Sequence, residues 1–150
     1  MEKKGQLYDF GDAGRNSRRD ELVAQILACF PTTPVPEYPE GGFVFGPSGD
    51  EYQPFAGKKW TEVPDVVFTE NYDVSPLIGF DEPLRNYYLP AFMMRELTHN
   101  DFLCPTVWYL DTEEPRQLEA NKKLTTEQKE CVAAFVAFSK LMEETGHLHF

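Results

Sequence analysis

The stretch FDEPLRNYYLPAFMMREL, residues 80–97, limits what this chain can fold into more than any other segment. Its apolar residues recur as on one side of a helix, yet Pro90 stands in the middle. A proline inside a helix deletes one backbone hydrogen bond, and its ring presses on the carbonyl four residues earlier, at a cost of ~3 kcal/mol. Asp81 suits an N-cap, and Pro83 falls in a first turn, where a missing N–H matters little. Leu84, Tyr87 and Tyr88 follow with helical spacing. Pro90 then fits best as the first-turn proline of a second segment, PAFMMREL. The spacing therefore predicts one kinked helix or two short ones, not a straight helix, with the bend wrapping an aromatic face around a core.

The rest of the chain has the means to build that core. Its 150 residues are the usual size of one domain, and 14% of them are aromatic. Twelve phenylalanines, seven tyrosines and two tryptophans fill an interior with few residues, because each ring buries a large area. The net charge of −11 is unevenly spread: residues 1–20 carry five basic and four acidic side chains, and the acid excess lies beyond them. Such a surface repels phosphate backbones and anionic headgroups, so neither nucleic acid nor membrane is expected as a partner. It serves solubility, or it docks a basic protein. No run approaches the ~20 apolar residues of a membrane span, and the first residues have no apolar core of a secretion signal. Cys29, Cys104 and Cys131 are odd in number and widely spaced, which points to small buried hydrophobes in a reducing cytoplasm rather than a disulfide or zinc framework.

Along the chain, residues 1–16 mix Gly, Asp, Asn, Lys and Arg and read as a flexible arm; 17–146 read as a single globular domain, and 147–150 as a tail. Ser17, with Asp20 three residues on, is the expected cap of a first helix whose stripe is Leu22, Val23, Ile26, Leu27 and Phe30, stopped by Pro31. Residues 31–76 hold eight of the twelve prolines and form a Pro/Gly-rich connection. Within it FVFG (43–46) suits a strand, GPSGD (46–50) a turn and Asp65–Phe68 an extended piece, with Trp60 pinning the segment to the helices. Residues 106–110 read as a strand with Trp108 or Tyr109 inward, and 115–120 as a short helix. Thr125 with Gln128 makes a capping box before an apolar face of Val132, Phe135, Val136 and Met142, flanked by Cys131, Phe138 and Leu141 and ended by Gly146. The expected fold is mainly α with short β segments, α+β being the alternative.

GKKW (57–60), YYLPAF (87–92) and LTTEQ (124–128) followed by Phe135, with DELVAQILACF (20–30) leading, resemble a family of small bacterial proteins classed as a domain of unknown function. The likeness covers roughly residues 20–142, although the Pro/Gly segment 31–57 is longer than in that pattern. It implies a cytoplasmic, mainly helical single domain and brings no activity or site residue with it.

Reaction chemistry finds little footing. Neither GxxxxGK[ST] nor GxGxxG is present, and GPSGD has its glycines wrongly spaced for a nucleophile elbow. His147 and His149 fall short of a metal site, and His99 near Cys104 lacks a catalytic context. The pairs Glu113–Glu114, Glu143–Glu144 and Asp50–Glu51 read as solvated acids, since general acid–base work needs burial or a close like charge. No cofactor, metal ligand or catalytic residue is expected. Tyr87, Tyr88 and Trp108 are the candidate binding residues, as a recognition face or as core, and Arg85 and Arg95 beside them suit carboxylate partners. The leading expectation is a noncatalytic cytoplasmic protein acting through protein–protein contact, for instance as an antagonist of a basic partner. The alternative is a small ligand-binding protein or enzyme with a pocket under 31–57.

Overall fold

A computed structural model of the chain describes residues 7–36, 55, 57–69, 82–100, 106, 110 and 115–146. The elements are helices α1 (Ala13–Cys29), α2 (Val66–Thr69), α3 (Glu82–Thr98), α4 (Pro115–Lys122) and α5 (Thr126–Glu144), with a 3-10 turn at Trp60–Glu62. There is no strand among the described residues. The protein is mainly helical. The expected strand at 43–46, the turn at 46–50 and the tail 147–150 lie outside the described residues. The expected strand at 106–110 meets a different geometry at its ends, for the Leu110 amide donates to the Thr106 carbonyl, a four-residue step that strands do not make.

Helix α1 begins earlier than the Ser17 cap suggests. Asp12, in extended backbone, accepts the Arg15 amide at 2.8 Å and caps the helix. The preceding residues are also packed, which corrects the flexible arm from residue 7 onward. Phe10 is buried against Phe138 with ring centroids 5.1 Å apart, and the Tyr8 amide donates to the Thr98 carbonyl at 2.7 Å. Arg19 explains why this segment is held. It is buried on the same stripe as Leu22 and Ile26, and donates to the carbonyls of Tyr8 (2.7 Å) and Leu97 (3.0 Å). Its charge thereby satisfies a carbonyl at the C-terminal, partly negative end of α3. Leu27, expected on the stripe, is 52% exposed. Phe30 forms the C-cap just before Pro31, as the proline requires.

Helix α3 is the axis of the fold. It packs against α1, α4 and the Trp60 turn, while α1 also packs against α5. Buried positions run around it without an exposed face: Leu84, Tyr88, Leu89, Phe92, Met93 and Leu97, with Pro90 and the charged Arg85, Arg95 and Glu96 among them. Only a narrow strip through Asn86, Tyr87, Met94 and Thr98 is half-buried. A helix buried on nearly all sides belongs in the core, and its polar side chains Arg85, Arg95 and Glu96 are buried with it. Pro90 lies inside this one continuous helix and does not open a second one. Of the two alternatives, the pair of short helices is corrected and a single helix holding Pro90 stands; burial of the ring in the core offsets only part of the cost of the lost backbone bond. Nor is Asp65–Phe68 extended, since Val66–Thr69 forms a helical turn whose Val67 and Phe68 reach the core.

Helix α5 starts at the capping box, with the Gln128 amide donating to Thr125 Oγ1 (3.1 Å) and the Thr125 amide to Gln128 Oε1 (3.0 Å). It ends at Gly146, whose φ of 82° is the left-handed conformation that glycine tolerates. The buried seam is Cys131, Phe135, Phe138 and Met142. Val132 and Val136 lie beside it, half-buried, and Leu141 faces out.

Replacing Pro90 by alanine removes two buried ring methylenes, about 1.6 kcal/mol at ~0.8 kcal/mol each. It restores an amide donor and relieves a clash together worth ~3 kcal/mol. Pro90→Ala is therefore expected to raise unfolding free energy by roughly 1 kcal/mol in urea titration; a loss of that size would contradict an interior, strained proline.

Candidate functional site

The two tyrosines that the sequence marks as candidate binding residues are structural anchors. Tyr88 is 1% exposed, and its hydroxyl donates toward the carbonyls of Phe55 (2.6 Å) and Lys58 (2.7 Å). Tyr87 is half-buried; its hydroxyl donates to the Thr32 carbonyl and accepts the Trp60 amide at 3.2 Å. Burial pushes the Tyr87 phenol upward. Trp60 closes the same cluster, with its indole N–H on the carbonyls of Phe30 (3.2 Å) and Pro31 (3.3 Å). Loop carbonyls thus take up both hydroxyls, and of the two alternatives for Tyr88, recognition face or core, its burial places it in the core. Trp108 lies outside the described residues. Arg95 does pair with a carboxylate, Asp65 at 3.0 Å, and its guanidinium lies 5.5 Å from the centre of the Phe68 ring. Arg85 reaches Gln117 Oε1 at 3.1 Å.

A surface that the sequence did not single out lies between α4 and α5. Helix α4 is tied to α3 by the Arg85–Gln117 bond and by Asn86 Nδ2 donating to the Ala120 carbonyl at 2.7 Å. Helix α5 packs on α1 instead. Two helices joined by only Lys123, Leu124 and Thr125, yet seated on different neighbours, leave a gap between them. That gap is a groove of about 870 Å³. Leu118 on α4 and Val132 and Val136 on α5 form its apolar walls, with Leu124 at the joint. Leu118 is 43% exposed, and Ala133 and Ala137 are exposed as well. Among the described residues, Lys122, Lys129, Lys140 and Glu119 also line it, and Glu119 pairs with Lys122 at 3.0 Å. The signal was present in the broad apolar arc of α5, wider than one core seam needs.

A second feature is a buried acid. Glu96 is 5% exposed, accepts the Thr106 amide on Oε1, and leaves Oε2 without a hydrogen bond. Beside it, Phe10, Leu97, Phe138 and Met142 surround a void of only about 10 Å³, with Asn100 and Ser139. Removal from water pushes its pKa up to about 8, against the pull of the Thr106 amide. A neutral carboxyl with no room for substrate is a core group. Cys131 is equally withdrawn, its thiol pushed up to about 11 by burial and by Cys29 nearby. His99 is exposed, with Nδ1 2.8 Å from Thr98 Oγ1. Among the described residues, no three His, Cys, Asp or Glu side chains cluster for a metal ion. Cys104, His147, His149, Glu113, Glu114, Asp50 and Glu51 lie outside those residues, as does most of the segment 31–57.

Because the folded pKa of Glu96 is raised from 4.5 to about 8, the folded chain holds one more proton than the unfolded chain between those values. The stability this group contributes is complete below pH 4.5 and is lost as pH rises through about 8. Glu96→Gln keeps the acceptor for Thr106 and cannot ionise. It is expected to flatten this decline and to gain on the order of 1–3 kcal/mol over the native chain at pH 8.5 in chemical denaturation. Parallel pH profiles for the two proteins would exclude a proton held at Glu96.

No helix of the described residues is long and apolar enough to cross a membrane. No protein-family model, curated protein or solved structure matches the chain.

Proposed function

We propose that this is a noncatalytic cytoplasmic protein that works by protein–protein contact, with the groove between α4 and α5 as its contact surface. The observation that carries the reading is the groove itself: aliphatic side chains left in water along two helices, on a chain otherwise rich in charge. Apolar surface of this kind is where burial against a partner releases most free energy, at ~25 cal/mol per Å². The aromatic side chains among the described residues, by contrast, are consumed by the core and by loop carbonyls. Glu96 and Cys131, the two most perturbed groups among the described residues, have neither access nor a described partner suited to acid–base or nucleophilic work. The free thiols of Cys29 and Cys131 suit a reducing compartment. The acid excess over the remaining surface keeps the antagonist of a basic partner as one form of this function.

The test uses the exposed alanines of the groove. Ala133→Glu with Ala137→Glu places two charges in it without touching the buried seam, and both residues favour helix. Affinity capture from lysate of the source cells is expected to recover one stoichiometric partner with the native chain, reduced at least ~10-fold with the double variant. Recovery undiminished by the variant, or no stoichiometric partner at all, would overturn the groove as the contact surface.

A further inference from the structure

Two of the three cysteines stand where the end of α1 packs on the start of α5. The two helices run antiparallel. Gln128 Nε2, in the first turn of α5, donates at 3.1 Å to the carbonyl of Cys29, the last residue of α1. Farther along α5, Phe138 meets Phe10, which precedes α1. Cys131 follows Gln128 by three residues, so it lies about one turn on, ~4.5 Å along the same side of α5. It heads the buried seam through Phe135, Phe138 and Met142, and Cys29 packs half-buried against the same core. Both thiols are free. Their access differs: Cys131 is 0% exposed, whereas Cys29 keeps an open side. An accessible thiol beside a sheltered one is the arrangement in which an oxidised first sulfur is captured by a resolving second.

We propose that Cys29 and Cys131 close into a reversible disulfide when the protein meets a peroxide, locking the end of α1 to the start of α5. The groove plays no part in this. The Cys29 thiolate attacks hydrogen peroxide: an S–O bond forms, the O–O bond breaks, hydroxide leaves, and Cys29 becomes a sulfenic acid. The Cys131 thiolate then attacks that sulfur; the S–S bond forms, the S–O bond breaks, and hydroxide departs to take up a proton. Two thiols and one peroxide thus give one disulfide and two waters, the sulfurs being oxidised and the peroxide reduced. Cys131 has no route to a substrate, but the closing step asks only for Cys29. Burial and then the neighbouring Cys29 push its thiol up to about 11, so closure quickens as pH rises toward that value. The glutathione pool of a reducing compartment reopens the bond, which makes it transient. A link between residues 29 and 131 closes a loop of about 100 residues, which restricts the unfolded chain and raises the melting temperature of the oxidised form.

The experiment exposes the full chain, reduced and folded, to hydrogen peroxide and maps its thiols by mass spectrometry without reduction. A cross-linked peptide pair holding Cys29 and Cys131 is expected, with the intact chain lighter by two hydrogens and the bond opened again by dithiothreitol. The oxidised chain is expected to melt higher than the reduced one, and closure to run ~10-fold faster at pH 8 than at pH 7. The cross-link should persist in Cys104→Ser and vanish in Cys131→Ala, where dimedone captures the Cys29 sulfenic acid instead. A bond from either residue to Cys104, or a bond between two chains, would overturn the pairing. So would a native chain in which Cys29 passes on to sulfinic acid while Cys131 keeps its thiol. Cys29 staying reduced at a dose that oxidises free cysteine would overturn it as well.

Discussion

Burial of α3 on nearly every side is the constraint from which the rest of the structure follows. A helix in that position can hide its aliphatic residues at no cost, but each polar group that it carries needs a partner inside the protein. Tyr87 and Tyr88 find loop carbonyls, Arg95 finds Asp65, and Arg85 and Asn86 find α4. The carbonyl end of the helix is met by Arg19 and the Tyr8 amide. Each of these bonds ties a different segment to α3, so satisfying one helix organises the N-terminal residues, the Trp60 region and α4 together. Two atoms escape this arrangement: Asn86 Oδ1 and Glu96 Oε2 are buried without a bond.

The groove is a by-product of the same geometry. The bonds from Arg85 and Asn86 hold α4 on α3, whereas the seam of α5 follows α1. The three-residue joint cannot bring the facing sides together while both attachments persist. Val132 and Val136 are left beside the core instead of in it. Function on this account resides in what packing leaves uncovered, and the chemistry-bearing residues serve to hold that opening in place.

Much of the helical framework is legible in the chain because its signals are local. The Thr125–Gln128 box, the stop at Pro31 and the glycine after α5 each act through a few neighbouring atoms. What was hidden depends on distant partners. The start of α1 is masked because Gly14, Arg15 and Asn16 carry no apolar pattern, and residues 7–12 are ordered by α3, some eighty residues away. Pro90 reads as a boundary when only the backbone is considered; a core around it makes the interior position tolerable. On α5, Cys131 and Phe138 exchange roles with Val132 and Val136, since an apolar arc that wide does not say which half faces inward. Glu96 could have been flagged, as it stands four residues after Phe92 and three after Met93, both wholly buried.

Amide hydrogen exchange under native conditions probes the central role of α3 most directly. If this helix is the axis on which the other segments depend, the amides of Ala91–Leu97 exchange only through global unfolding, with the highest protection in the protein. Exchange of those amides through openings ~2 kcal/mol or more cheaper than global unfolding, while α5 stays protected, would show that the fold does not hang on α3.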